Sequence, residues 1–129
     1  MIIQELNEAA KNIHALAVNK GWWEDDRPLP EILMLCVSEL SEALEEYRNK
    51  SPDIYCDEYD EDHCDPCLKH RPACACNGHK PQGVAVELAD CIIRILDFCG
   101  RKEIDIEAAI NAKHEYNKTR PYRHGGKKC

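Results

Sequence analysis

Apolar residues recur every three or four positions along four stretches of the chain, which is the spacing of one face of an α-helix. We expect helices over about residues 2–19, from Pro30 to about residue 50, over residues 84–99, and from Asp105 to about residue 119. Gly21 and Gly100 are the expected ends of the first and third helices, because glycine commonly follows a helix C-terminus. Residues 51–82 lack helical periodicity, and no convincing strand is seen. The pattern predicts an all-α protein with an irregular insertion between helices 2 and 3.

The second predicted helix is apolar on more than one side. One apolar stripe consists of Leu33, Val37, Leu40, Leu44 and Tyr47. Leu35, Cys36 and Ala43 are also apolar, although they lie off that stripe. A helix with apolar residues on several sides is buried on several sides. In a chain of 129 residues, this predicts a homo-oligomer.

The third predicted helix carries a single polar stripe on an otherwise apolar surface. The stripe consists of Glu87, Asp90, Arg94 and Asp97, at positions i, i+3, i+7 and i+10. A thin charged line of this kind is typical of a polar site inside a helical bundle.

Two acid pairs form the candidate site: Glu39-x-x-Glu42 on the second helix and Glu87-x-x-Asp90 on the third. Residues three apart are neighbours on one helix face, so each pair points two carboxylates the same way. Burying carboxylates is costly unless cations neutralise them, and Mg²⁺ prefers carboxylate oxygens together with substrate phosphates. We therefore predict Mg²⁺ ligands, with Mn²⁺ as a substitute. The alternative is solvated helix surface, which suits the first pair better because apolar residues flank the second.

A di-iron carboxylate bundle is the competing kind of metal site. Such sites use Glu-x-x-His on two helices. Here Glu45 stands three residues after Glu42, and Asp90 stands three residues after Glu87, so neither pair supplies a histidine. The spacing favours magnesium over iron.

The charge distribution predicts an anion site near the C-terminus. The formal net charge of −7 argues against general binding of nucleic acid. Residues 113–129 nevertheless hold six Lys or Arg and one Glu. Lys113, Asn117 and Arg120 share one helix face, and together with Arg123 they suit the outer oxygens of a phosphate group. The alternative is a solvated basic tail.

The chain shows neither a targeting segment at its start nor an apolar run long enough to span a membrane. We expect a cytoplasmic protein without membrane contact, in which all nine cysteines stay reduced. Cys36, Cys91 and Cys99 fall on apolar helix positions and are predicted core residues.

Five of the other cysteines crowd the insertion and predict a second kind of metal site. Cys64-x-x-Cys67, followed by Cys74-x-Cys76, suits a closed tetrahedral Zn²⁺ site of structural type. Alternative ligands in the same stretch are Cys56, His63 and His70. The competing interpretation is an acidic loop whose cysteines are incidental.

Taken together, these residues resemble the MazG-like, all-α nucleoside triphosphate pyrophosphohydrolases. The resemblance covers GWWEDDRPLPEILMLCVSELSEALEEYR at residues 21–48 and VAVELADCIIRILDFCGRKEIDIEAAINAKHEYNKTRPYRHGGKK at residues 84–128. The paired acids followed by Lys113-x-x-x-Asn117-x-x-Arg120 make it specific, and the insertion is the part of the chain that it leaves unexplained.

The resemblance implies one four-helix bundle-like domain over residues 1–129, with the insertion at residues 51–82. It implies cleavage of a (deoxy)nucleoside triphosphate into monophosphate and pyrophosphate, for control of nucleotide pools or house-cleaning. It assigns catalytic Mg²⁺ ligation to Glu39, Glu42, Glu87 and Asp90, and substrate contacts to Lys113, Asn117 and Arg120. Related enzymes are homodimers or homotetramers. One departure is Ser38, where many members have a glutamate that could act as general base. Glu46, one turn beyond Glu42, is a candidate substitute, and the alternative is that it is a surface acid.

Trp22 and Trp23 have two interpretations. An aromatic ring can stack on a nucleobase with little base preference, and related enzymes use an aromatic near this point of the chain. The alternative is that one of the two tryptophans packs in the core.

The competing function is a non-catalytic, zinc-stabilised helical module for interaction or regulation. In that case the acid pairs form a solvated face, and no triphosphate binds. Release of pyrophosphate from nucleotides in the presence of Mg²⁺ distinguishes the two functions.

Overall fold

The computed structural model of the chain describes residues 4–56 and 80–123. These residues are mostly helical, which confirms the all-α prediction. The elements in chain order are α1 (Leu6–Asn19), α2 (Leu29–Arg48), β1 (Tyr55–Cys56), β2 (Pro81–Gln82), α3 (Val84–Lys102) and α4 (Ile106–Thr119). Among the described helices, not one combines the length and the apolarity that a membrane span needs.

Most helix ends follow from local chemistry. Pro30 lies in the first turn of α2, where proline is tolerated because the first amides of a helix have no partner. Asp105 caps α4, since its side chain accepts a hydrogen bond of 3.0 Å from the amide of Ala108. The predicted start of α1 is wrong. Glu5 adopts a left-handed backbone (φ 70), so the helix begins only at Leu6.

The predicted end of the third helix is also wrong, because α3 continues through Gly100 to Lys102. A Cβ at Gly100 would lie 2.5 Å from the carbonyl oxygen of Ala10 and 2.7 Å from Cβ of His14. The glycine therefore permits a close approach of α1 and α3. The helix ends where Glu103 turns left-handed (φ 54) and the amide of Ile104 donates to the carbonyl of Cys99 at 2.9 Å.

The chain divides into two compact units, each of which is described by itself. We call Met1–Asp25 with Leu96–Cys129 the terminal unit, and Asp26–Ile95 the central unit. The single domain over residues 1–129 stays a prediction.

The terminal unit has a small apolar core and a polar bridge. The core consists of buried Ala10, Leu96 and Cys99, with partly buried Ala9, Ile13 and Ile106 packed against it. Asn7, in the first turn of α1, accepts a hydrogen bond of 3.1 Å from the amide of Ile106 and donates one of 2.9 Å to Asp105. These bonds join the start of α1 to the start of α4.

The central unit buries one face of α2, and this face is not the predicted stripe. The buried residues are Ile32, Cys36, Glu39 and Ala43, at i, i+4, i+7 and i+11. Cys36 contacts the carbonyl of Cys91 on α3 at 4.0 Å. Cys36, Cys91 and Cys99 are all buried, which confirms them as core residues. The predicted stripe is instead about half exposed within the single chain.

A two-residue ladder brings the ends of the insertion together. β1 and β2 are antiparallel, with Tyr55 opposite Gln82 and Cys56 opposite Pro81. Gly83 follows with a φ of 117, and a Cβ there would collide with the carbonyl oxygen of Asp53. Strands of two residues are too short for an alternating pattern, which explains why the sequence did not predict them.

Candidate metal centre

Three carboxylates from two helices converge in the central unit. Glu39 and Glu42 come from α2 and Glu87 from α3, and one oxygen of each lies within 4.8 Å of the others. We call these three residues the acidic cluster. Glu39 is buried, Glu87 is half-buried and Glu42 is exposed, so the cluster runs from the interior to the surface. Two predicted acid pairs on separate helices thus contribute to one site.

Local structure explains why these carboxylates meet. Glu39 belongs to the buried face of α2, three residues after Cys36, which packs against α3. Glu87 lies in the first turn of α3, and its amide donates to the carbonyl of Gly83 at 3.0 Å. A helix N-terminus favours a negative side chain. Gly83 therefore sets the start of the helix that brings Glu87 to the cluster.

Asp90, the fourth predicted ligand, lies beside the acidic cluster rather than within its 4.8 Å group. Burial first, and then the negative charge of Glu39, raise the pKa of Asp90 above its ordinary value. Asp90 in turn contributes to the raised pKa of Glu87. The four acids therefore interact electrostatically, whereas their joint role as metal ligands stays a prediction.

Arg94 is a site residue for which sequence reasoning gave no role. The sequence places Arg94 on the polar stripe of the third predicted helix, but helical spacing does not identify the residue to which it bonds. Its Nε donates a hydrogen bond of 2.7 Å to Oε1 of Glu39. Burial alone raises the pKa of Glu39, but the hydrogen bonds from Arg94 and the neighbouring carboxyl Glu42 outweigh it, so the net pKa is lowered.

The other carboxyls of the acidic cluster hold their protons more tightly than usual. The shared hydrogen bond with Glu39, followed by burial, raises the pKa of Glu42. Burial, followed by the negative charge of Glu42, raises the pKa of Glu87 to about 7. Near neutral pH, Glu87 therefore needs either a proton or an added cation.

These residues fit a divalent metal ion of the hard class. All donors are carboxylate oxygens, and such donors suit Mg²⁺, Ca²⁺ or Mn²⁺ better than metals that prefer sulfur or nitrogen. The mutual repulsion that raises the pKa of Glu42 and Glu87 would also be relieved by a bound cation.

Metal binding should depend on pH because a proton and a cation compete for Glu87. We expect full affinity for Mg²⁺ above about pH 7 and weaker binding below it. In the metal-free protein, the protonation of Glu87 also changes the free energy of unfolding. The pKa of Glu87 in the folded protein exceeds its ordinary value of 4.5, so the stabilising contribution of Glu87 is complete below pH 4.5 and is lost as the pH rises through about 7. Calorimetric titration with Mg²⁺ at about pH 6 and about pH 8 measures the first effect, and equal affinities would contradict it.

The predicted phosphate-binding residues lie in the terminal unit. Lys113 and Asn117 line a shallow cavity of about 360 Å³ on α4. Nζ of Lys113 lies 4.9 Å from the ring centre of Tyr116, and Cζ of Arg120 lies 5.8 Å from it. The ring of Tyr116 thus lies within cation–π distance of Lys113 on α4 and of Arg120, the residue that follows the last turn of α4. Arg123, beyond the end of α4, stacks on Tyr122 at 5.7 Å.

The two tryptophans have different environments. Trp23 is buried, and its Nε1 donates to both carboxylate oxygens of Asp97 at 3.0 Å, which confirms that one tryptophan packs in the core. His14 bonds to Asp97 at 2.8 Å and meets the Trp23 ring edge-on. Asp97, the last residue of the predicted polar stripe, thus anchors this core. Trp22 is 59% exposed and is the tryptophan whose ring a nucleobase could reach.

The predicted zinc ligands Cys64, Cys67, Cys74 and Cys76, and the alternates His63 and His70, lie outside the described residues. The backbone of Cys56 forms part of β1. The zinc site stays a prediction. Glu46, considered above as a substitute carboxylate, accepts hydrogen bonds of 2.9 and 3.0 Å from the Tyr55 hydroxyl and so supports the ladder beside it.

Comparison with known proteins gives no match, because no family model, no curated protein and no solved structure is significantly similar to this chain. Membership of the MazG-like family therefore stays a prediction from the residues quoted above.

Proposed function

We propose that this protein is a Mg²⁺-dependent nucleoside triphosphate pyrophosphohydrolase with a MazG-like four-helix fold and a cysteine-rich insertion. One observation carries the proposal: Glu39, Glu42 and Glu87 bring carboxylate oxygens within 4.8 Å of one another from two different helices. Such a cluster of oxygen donors is suited to a cation that also binds phosphate. The proposed role is control of nucleotide pools or removal of unwanted nucleotides.

In this proposal, one group of residues binds the metal ion and a second group binds the substrate. Glu39, Glu42, Glu87 and Asp90 hold the cation. Mg²⁺, when bound, supplies neutralisation of phosphate charge and activation of water. The side chains that bind phosphate or sugar are Lys113, Asn117, Arg120 and Arg123. Trp22, as the exposed tryptophan, stacks on the base.

The products of the reaction test this proposal. Incubation with nucleoside triphosphates and Mg²⁺ or Mn²⁺ should release monophosphate and pyrophosphate, because the proposed cleavage lies between the α- and β-phosphates. Phosphorus NMR or ion chromatography identifies the products, and omission of the divalent ion is the control. Release of orthophosphate with nucleoside diphosphate would overturn the proposed cleavage position. If neither monophosphate nor pyrophosphate appears with any base in a panel of nucleotides, the proposed enzymatic activity is wrong.

The exposed apolar residues of the central unit predict a homo-oligomer. On α2, Leu33, Val37, Leu40 and Leu44 are 46–53% exposed in the single chain. On α3, Leu88, Ile92 and Ile95 are 42–54% exposed. Rows of large apolar side chains at this exposure are typical of surfaces that a second protein chain covers.

We therefore expect a dimer or tetramer by light scattering at micromolar concentration. Val37→Glu and Leu40→Glu should shift the protein toward monomer, because a charge in an apolar interface is costly to bury. Glu45→Gln, on the same helix, serves as a control that should leave the mass unchanged. A wild-type monomer would contradict the prediction.

A further inference from the structure

The positively charged side chain of Arg94 lies against the acidic cluster. Nε of Arg94 lies 2.7 Å from Oε1 of Glu39, and this bond links α3 to α2. The Glu39 side chain is only 9% exposed, whereas that of Arg94 is 35% exposed. An ionised carboxylate at such burial needs a counter-ion, and a charge-assisted bond from a guanidinium is a strong one. Arg94 is therefore the permanent partner of the most buried acid.

Glu39, which is bonded to Arg94, differs from the neighbouring acids in the direction of its pKa shift. The pKa of Glu39 is lowered, while the pKa values of Glu42, Glu87 and Asp90 are raised. Glu39 is the buried member of the acidic cluster, and the guanidinium of Arg94 holds it by a direct hydrogen bond.

Arg94 is also placed to oppose a bound metal. It lies four residues after Asp90 and seven after Glu87 on α3, so all three share one helix face. Its charge acts on Glu39 and on Asp90, two of the proposed ligands. A divalent ion at these carboxylates would be repelled by the guanidinium and would share Glu39 with it.

We propose that Arg94 is a positioning residue that holds the Glu39 carboxylate in place through this hydrogen bond, and that competes with the divalent cation for the same carboxylate, so that the site binds metal more weakly than the acids alone would. The inference rests on the proposed function in assuming that the cluster binds a divalent ion. It adds Arg94 as a residue that sets the concentration of divalent ion at which the site is half-occupied.

The test is direct titration of Mn²⁺, without nucleotide, into wild-type protein and Arg94 variants, followed by calorimetry or by the electron paramagnetic resonance of free Mn²⁺. Arg94→Met and Arg94→Gln should each bind Mn²⁺ roughly tenfold more tightly, the size expected for removing a unit charge about 6 Å from a divalent ion in a water-like dielectric. Arg94→Lys, which keeps the charge, should stay near the wild-type affinity. Arg48→Met removes the same charge from the last turn of α2 and should leave the affinity unchanged.

The outcomes separate this inference from the proposed function. If both uncharged variants fold, as judged by circular dichroism, and bind Mn²⁺ no more tightly than wild type, the competition is refuted and the enzyme proposal is untouched. Tighter binding without any nucleotide hydrolysis refutes the enzyme proposal and supports the role of Arg94. If neither wild type nor variants bind Mn²⁺ at millimolar concentration, both proposals fail. If Arg94→Met and Arg94→Gln both misfold, Arg94 is needed for the fold itself, and the inference is overturned.

Discussion

Replacing Glu42 by glutamine, or Asp90 by asparagine, should abolish turnover while the protein stays folded. Each change removes one carboxylate charge from the proposed metal site, whereas the side chain keeps its size. Residues that merely support metal ligands typically cost about 10–100-fold when mutated, so loss of a ligand should cost at least about 100-fold in turnover. Pyrophosphate release under saturating Mg²⁺ measures the effect.

Stability should move in the opposite direction from activity. The raised pKa values of Glu42 and Asp90 mean that their ionised forms are disfavoured in the folded, metal-free protein. Removing either charge relieves repulsion, so the melting temperature without metal should stay level or rise. Glu45→Gln makes the same chemical change on the same helix outside the acidic cluster, and it should alter neither quantity. Near-normal turnover in both site variants would show that the metal-site assignment is wrong.

Replacing Gly100 by alanine should destabilise the protein strongly. The new Cβ would meet the carbonyl oxygen of Ala10 at 2.5 Å, and a backbone atom cannot rotate away as a side chain can. Overpacking of this kind typically costs about 1–3 kcal/mol and sometimes more. It should outweigh the gain of about 1 kcal/mol that alanine brings to a helix interior. We expect the melting temperature to fall by roughly 5–10 °C.

The sign of the change makes this a sharp test. If Gly100 mattered only for helix propensity, alanine would raise the melting temperature. Ala89→Gly makes the reverse exchange at an exposed position of α3 and should cost about 1 kcal/mol. Thermal unfolding of both variants separates the two effects, and a more stable Gly100→Ala protein would exclude the close helix approach.

Helix positions and the pairing of acids along each helix could be predicted because both depend on local spacing. The cap at Asp105 and the end of α4 before Pro121 follow from side-chain chemistry within a few residues. Glu39, Glu42 and Glu87 could be picked out as candidate ligands because each belongs to an i,i+3 acid pair on a helix with apolar neighbours.

Features that depend on contacts between distant segments could not be predicted. Gly100 looks like a helix stop in the sequence, and only the approach of α1 shows that it is a crossing point. The partner of Arg94 lies 55 residues away in the chain, so helical spacing along α3 could not identify it. The side of α2 that packs within the single chain could not be read from spacing either, because it depends on contacts with α3 such as that of Cys36 with Cys91.

The ladder between β1 and β2 has an evolutionary consequence. Antiparallel partners such as Cys56 and Pro81 hold their Cα atoms roughly 5 Å apart, so the intervening stretch leaves and re-enters the fold at almost one point. The entropic cost of closing a loop grows only slowly with its length. A lineage could therefore gain, shorten or exchange the stretch at this junction while α2 and α3 keep their positions.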